Sequence, residues 1–332
     1  MAYITLDSQA YHDNLTHLVD RLGAKEKLAV VLKDNAYGHG LMPMAKLASD
    51  YGISKAIVRN HQEASLIEAL FPFIMILSPD MSQSSTRFSL VINSLEHLAK
   101  APKQAKIHLK IDSGMHRNGI SLAEIEAAFI MIQEKGLVLE GVMTHFRSAD
   151  ELSTELFWQM RVWKDIKAIV SGLVSKYAFE MPLFHSGNSA TLLGLEHYHD
   201  DIVRCGIATY GYGDKNLKPV LSLWAEKITT RKLKKGEKIG YGGVGVMPEN
   251  GSVSTYDVGY ADGYFRYDGK GKLTTQEGFA LLGRVSMDNL SIASDAQKVM
   301  LFSDARSLAD YHDTIVYDIL TRLSPLLKRQ VL

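Results

Sequence analysis

The chain has a single cysteine, Cys205, among 332 residues. No intrachain disulfide can form, no multi-cysteine zinc site is available, and a reducing compartment is expected. Neither sign of charge is in excess: Lys+Arg and Asp+Glu are both 37, for a formal net charge of +0. Nothing in that balance advertises nucleic acid or an anionic membrane as a partner. Long apolar runs are missing as well. Stretches such as FIMIL are far too short to span a bilayer, and the opening MAYITLDSQAYHD lacks the basic and apolar regions of a signal peptide. There is no Pro/Ser/Gly-rich linker, fixed-period repeat or low-complexity tract. These absences leave a cytoplasmic globular protein that binds a small molecule, for which 46% hydrophobic and 22% charged residues are ordinary.

The length favours one large and one smaller domain. Over the first two thirds, short β-rich runs alternate with helix-period segments. The candidate strands are LAVVLK from Leu28, KAIV from Lys55, FIMILS from Phe73, LVINS from Leu90, KIHLKID from Lys106, LEGVMTHF from Leu139, LFHSGN from Leu183 and DIVRCGIATYG from Asp201. Eight strands, each joined to the next by a helix-like segment, predict an α/β fold with an N-terminal (β/α)8 TIM-like barrel rather than an open sheet. Helix signals accompany the length: Ser121 and Glu124 make a capping-box pattern and Gly136 a stop. Leu156, Met160, Trp163, Ile166 and Val170 recur at helical spacing and read as core.

After about residue 215 the texture changes to short alternating runs with glycine-rich turns, predicting a mainly β C-terminal domain. The expected boundaries are 9–215 for the barrel and 216–332 for the β domain. Gly240, Gly242 and Gly245 satisfy G-x-G-x-x-G, but strand and turn signals surround them, so a β-turn is expected and not a dinucleotide site. The basic run RKLKKGEK reads as a solvated hairpin.

Lys33 closes the first barrel strand, in VVLKDNAYGHG. A lysine there is either a solvated surface residue or an amine held at a barrel mouth, where it can act as a Schiff-base nucleophile. Barrel active sites lie at the C-terminal ends of the strands. The polar residues in those places are Lys33 and Tyr37, Asp112 and Arg117, His145, Asn188 and Ser189, and Arg204. Each alone is weak; their coincidence at corresponding strand ends points to a site. No metal-ligand set stands out.

The stretches LKDNAYGHG, KIDSGMHRNG, THFRSADE, HSGNSA, VRCGIATYG, GYADGYFR, GRVSMD and TIVYDILTRLS, in this order, resemble the alanine racemases, a family dependent on pyridoxal phosphate (PLP). The likeness runs from Tyr3 to Pro325. It implies Lys33 as the Schiff-base lysine, with Tyr37, Ser189, Tyr317 and the backbone N–H groups of Gly206 and Ile207 around the cofactor phosphate. Arg204 matches the arginine facing the pyridine nitrogen, and His145 the residue that packs on the ring and supports that arginine. Arginine has only donors and stays protonated, so the ring becomes a weaker electron sink, which suits proton exchange better than transamination.

On the same resemblance, Arg117 reaches the substrate carboxylate, and Met287 and Asp288 complete the substrate pocket. Lys33 and Tyr260 are the two bases, serving the D- and L-enantiomer respectively. Lys110 matches a lysine that is carbamylated in the family; a carbamate beside Arg117 would turn repulsion into attraction. The other reading of Lys110 is a simple pair with Asp112. His185 matches the residue behind the tyrosine, and Asp150 and Arg284 match positions at the substrate entrance. The family further implies a homodimer with active sites shared between subunits, a first strand (within residues 1–8) that joins the β domain, and D-alanine for peptidoglycan as the product.

Three departures stand out: the ending LLKRQVL, short loops after Arg59 and Gly269, and Asn118 in place of leucine. A racemase of another or several small amino acids, such as serine, stays open, although broad-specificity relatives carry a signal peptide and a disulfide. A non-catalytic PLP carrier would lack the β domain, and related decarboxylases place an acid where this chain has Arg204.

Overall fold

The computed structural model describes residues 1–83, 86–151 and 153–332. The chain divides into two compact units. One comprises His12–Asp34 and Met44–Lys218; the other comprises Met1–Tyr11, Asn35–Pro43 and Pro219–Leu332. The N-terminal strand β1 (Tyr3–Leu6) belongs to the second of these.

The first unit is the expected barrel. Its strands are β2 (Leu28–Val31), β3 (Lys55–Val58), β4 (Phe73–Ile76), β5 (Ser89–Ile92), β6 (Lys106–Lys110), β7 (Val138–Met143), β8 (Leu183–His185) and β9 (Val203–Cys205). They pair in parallel in the order β8-β7-β6-β5-β4-β3-β2-β9. An isolated parallel bridge between Asn188 and Arg204 brings the two ends of the order together. Both faces of such a sheet are covered, which is why β2 and β5 are buried at every position and why β2 reads as an unbroken apolar run.

Helices fill the connections, among them Ile125–Lys135 and Glu155–Tyr177. The capping box forms: Ser121 N–H and Oγ–H donate to Glu124 at 2.7 and 2.8 Å. Gly136 ends the helix in the left-handed region at φ 61°. One connection departs from the expectation. Between β4 and β5, no helix forms among the described residues. The polar stretch after Pro79 turns instead around Asp80, whose carboxylate accepts from Ser82 and Gln83.

Two features of the barrel shape its mouth and interior. Between β6 and β7 the register slips, with Ile107 opposite Leu139 but His108 opposite Gly141, so Glu140 is an extra residue in a β-bulge. Where β8 and β9 meet, Asp200 ties the wall together. Its carboxylate accepts from Trp163 Nε1 at 2.9 Å, Lys167 Nζ at 2.9 Å, Ser186 N at 3.0 Å and Ser186 Oγ at 2.5 Å. Burial raises its pKa, but the bonds from Ser186 and Lys167 outweigh burial and hold it below the ordinary value.

The second unit is mainly β, with β10 (Leu221–Leu233) as its spine. Around it lie β11 (Lys238–Ile239), β12 (Gly245–Val246), β13 (Gly251–Tyr256), β14 (Leu290–Ile292), β15 (Lys298–Phe302) and β16 (Lys328–Val331). As expected, β1 joins this sheet, antiparallel to β10 and parallel to β16. Gly240 and Gly242 sit at φ 69° and 70° between β11 and β12, so the G-x-G-x-x-G match is a turn. Ile239, Met247 and Val253 form a small core beneath it. Among the described residues, no helix is long and apolar enough to cross a membrane.

Asp200 generates the first prediction. Asp200→Ala strands a buried indole N–H, a buried serine and the Lys167 ammonium, and should cost about 3 kcal/mol in urea unfolding. A loss below about 1 kcal/mol would show that the carboxylate does not hold the β8–β9 wall.

Candidate active site

In the barrel unit, the expected residues gather at one end. Lys33 stands two residues past the end of β2, and its Nζ lies 3.9 Å from Asp34 Oδ2, whose other oxygen is bonded to Arg59 Nη1 at 2.9 Å. Arg204, on β9, is buried and donates to the carbonyls of His185 at 2.9 Å, Thr144 at 2.8 Å and Ser186 at 3.0 Å. It also meets the Nδ1 atoms of His185 at 2.9 Å and His145 at 3.4 Å. All of these acceptors are neutral. Burial lowers the Arg204 pKa without removing its charge.

The field of this cluster is written on its neighbours. His145 is pushed down to about 3, first by burial and then by Arg204, Lys110, Arg117 and Lys33, so it is a neutral acceptor at any working pH. Lys110 is pushed down to about 8 by burial, Arg117, Arg204 and Lys33, against the opposing pull of Asp112. Near pH 8, much of it is therefore a neutral amine. The simple Lys110–Asp112 pair does not form. Asp112 is occupied folding its own loop, accepting from the backbone N–H groups of Gly114, Met115 and His116 and from His116 Nδ1. Among the described residues, Lys110, Arg117 and Arg204 make no ion pair.

Beside these cations lies a set of donors. Ser189 is buried, and its Oγ receives the N–H groups of Gly206 at 3.2 Å and Ala208 at 3.3 Å. Asn188 caps the following helical turn by accepting from Thr191 N at 2.9 Å. Ile207 begins a 3₁₀ turn, Ile207–Tyr210, next to Gly206.

The His185 ring is fully buried inside the barrel. Both ring nitrogens are engaged, Nδ1 by Arg204 and Nε2 by His108 at 2.8 Å. It is an interior support of the arginine.

The other expected residues lie in the β unit, in two groups. Tyr37 is buried, with its ring 5.8 Å from that of Tyr317. It ends a helical turn, Lys33–Tyr37, that winds left-handed: φ is 54°, 56°, 52° and 53° at Asp34, Asn35, Ala36 and Tyr37. Such a turn costs roughly 1–2 kcal/mol per residue and persists only where its surroundings over-determine it. Gly40 N–H and Leu41 N–H bond Asn35 O and Oδ1, both at 2.9 Å, and Arg329 Nη2 donates to Gly38 O at 2.8 Å. Gly38, at φ 82°, has no room for a side chain: a Cβ would stand 1.9 Å from Leu320 O. Arg329 comes from the unusual ending LLKRQVL, and sequence reasoning did not assign it a role. An arginine near a chain end carries no local signal of what it reaches.

The second group is Tyr260, Met287 and Asp288. Tyr260 N–H bonds Ser286 O at 3.1 Å and Ala261 N–H bonds Met287 O at 2.9 Å. Gly259 permits this approach, since a Cβ there would lie 2.0 Å from Met287 O. The Arg266 guanidinium sits 6.0 Å from the Tyr260 ring centre. Tyr260 and Met287 are exposed, at 41% and 55%. Asp150 and Arg284 are exposed as well, one in each unit.

Comparison with known proteins shows the family. The family model described as "Alanine racemase, N-terminal domain" matches residues 6–214, and "Alanine racemase, C-terminal domain" matches residues 220–331. Alanine racemase of a Nitratiruptor species is 47% identical, and that of Campylobacter curvus 44%, each over 99% of both chains. Among solved structures, alanine racemase from Bacillus anthracis with bound L-Ala-P matches with a TM-score of 0.89 and 27% identity, covering 100% of this chain and 95% of that one. Alanine racemase from E. faecalis matches at 0.85 and 29%, covering 100% and 98%. With both domains matched in order and close relatives spanning its whole length, the chain belongs to the alanine racemase family of isomerases.

Proposed function

We propose that this chain interconverts L- and D-alanine with PLP bound at the barrel mouth, and that Lys33 and Tyr260 move the α-proton. The observation that carries the reading is the group of cations Lys33, Lys110, Arg117 and Arg204, which acts on the neutral His145, with Arg204 itself held by neutral acceptors. Such a site favours anions, and both a phosphorylated cofactor and an amino-acid carboxylate are anionic. The donor set fits that cofactor: an amine at Lys33, and a buried hydroxyl at Ser189 with two backbone N–H groups aimed at its oxygen. Residues 9–215 form the cofactor-binding domain in this reading; residues 216–332, with 1–8, form the β domain.

Bound there, PLP supplies the electron sink that makes an α-proton removable. The chain's own residues do the rest. Arg204 donates only and has no proton to surrender, and neutral His145 supports it. Ser189, Gly206, Ile207, Tyr37 and Tyr317 hold the phosphate. Arg117 orients the substrate carboxylate, and Lys110, as a carbamate, offsets the charge of Arg117. Lys33 exchanges a proton on one face and Tyr260 on the other. Met287 and Asp288 limit the substrate to a small side chain; serine is the natural second candidate. In a cytoplasmic homodimer, the product would serve peptidoglycan synthesis.

We assign Tyr260 to the barrel of a second copy. Its exposure in the single chain, together with that of Met287, supports this. A two-fold pair lets each β domain serve the other barrel.

Two experiments test the proposal. With PLP and L-alanine, chiral chromatography should show D-alanine, and borohydride should fix the cofactor to the Lys33 peptide. Lys33→Ala should lose activity on the order of a thousandfold. Label on another lysine, or full activity in Lys33→Ala, refutes the assignment. For the shared site, Lys33→Ala and Tyr260→Phe, each nearly inactive, should recover about a quarter of wild-type activity after statistical subunit exchange in equal amounts. No recovery despite heterodimers confirmed by differential tagging would place both bases in one chain.

A further inference from the structure

Arg204 is backed by polar groups of the barrel interior. From its guanidinium a line of hydrogen bonds crosses the barrel interior. Arg204 Nη1 meets His185 Nδ1 at 2.9 Å, His185 Nε2 meets His108 Nδ1 at 2.8 Å, and His108 Nε2 meets Glu140 Oε2 at 3.2 Å. Ser89 Oγ donates to the same Glu140 oxygen. Both imidazoles are completely buried, while the Glu140 side chain is one quarter exposed.

The chemistry gives this line one direction. Arginine has only donors, so His185 Nδ1 must accept and its proton must sit on Nε2. That proton then points at His108 Nδ1, which must accept in turn, leaving the His108 proton on Nε2. The carboxylate at the far end accepts only. Both ends therefore demand the same tautomers. The burial that lowers the His185 pKa far below its ordinary value, reinforced by Arg204 and His108, keeps its ring neutral in this role. Burial raises the Glu140 pKa, but the bonds from His108 and Ser89 bring it below the ordinary value, so the end of the line stays a carboxylate.

Local backbone features make the line possible. Glu140 is the bulged residue between β6 and β7, and a bulge re-aims a side chain that strict alternation would send elsewhere. Its neighbour Gly141 leaves the space that the His108 ring occupies: a Cβ there would lie 2.1 Å from His108 Nδ1. His108 also packs edge-on to Phe73, with ring centres 5.7 Å apart.

We propose that Glu140 and His108 are remote positioning residues, whose relay through His185 sets the tautomers that let Arg204 keep its orientation at the barrel mouth. The inference rests on the proposed function only for what Arg204 serves. Without the carboxylate, the interior faces two poor arrangements. Either His108 Nε2–H is left without an acceptor, or both imidazoles reverse and His185 turns an N–H against Arg204. Glu140 removes that choice.

The test is ¹⁵N NMR of imidazole-labelled, cofactor-free protein. In the wild type, His108 and His185 should both carry their proton on Nε2. In Glu140→Leu and in the nearly isosteric Glu140→Gln, the Nδ1–H form of His185 should become detectable. Ser89→Ala, which keeps the carboxylate, should leave the tautomers unchanged. With PLP and alanine, Glu140→Gln should lower kcat roughly tenfold, the scale seen when partners behind a liganding imidazole are removed, with KM little changed. A wild-type Nδ1–H on either ring, or an unchanged His185 tautomer in both Glu140 variants, overturns the relay. Tautomers that respond in a protein that fails to racemise alanine would leave the relay standing and refute the proposed function instead.

Discussion

Positive charge held by neutral groups is the constraint on which the rest of this structure depends. Arg204 is buried among carbonyls and imidazoles, and Lys110 is almost buried beside it. A buried cation is tolerable when hydrogen-bonded, but one whose direct partners are all neutral imposes its field on everything nearby. That field accounts for a histidine pushed to about 3 and a lysine pushed to about 8 within one barrel mouth. Asp112 opposes that field at Lys110 while its carboxylate accepts from the backbone of its own loop.

The second constraint is conformational. Four successive non-glycine residues in the left-handed region are rarely found, and here they directly follow Lys33 in sequence. The strain is balanced by bonds from Gly40 and Leu41 to Asn35, by Arg329, and by a glycine pressed against Leu320. Strained backbone supported in this way is characteristic of positions where a side chain must be presented at a set angle. The ending LLKRQVL, which looks like a departure from the family at the sequence level, supplies one of those supports.

The parts of this picture legible in sequence are those with local periodicity or fixed spacing. The barrel strands could be read because a parallel sheet buries both faces, leaving short mainly apolar runs such as LAVV. The capping box at Ser121 and the left-handed stop at Gly136 are local patterns too. What could not be read depends on distant pairings. A register slip belongs to two strands at once, so neither KIHLK nor VLEGVM alone announces the bulge at Glu140. Nothing in the sequence around His108 and His185, 77 positions apart, shows that their rings meet. The left-handed turn was hidden because DNAYGHG contains residues that usually wind the other way until tertiary bonds hold them.

If the charge at the barrel mouth is what organises the site, the amine of Lys110, with its pKa pushed down to about 8, should take up carbon dioxide as a carbamate and so supply an anion beside Arg117. The direct measurement is ¹³C NMR of the protein equilibrated with ¹³C-bicarbonate near pH 8. The account predicts a carbamate carbon that is present in this chain and absent in Lys110→Met. No such resonance, with Lys110 titrating as an ordinary lysine near about 10.4, would contradict it.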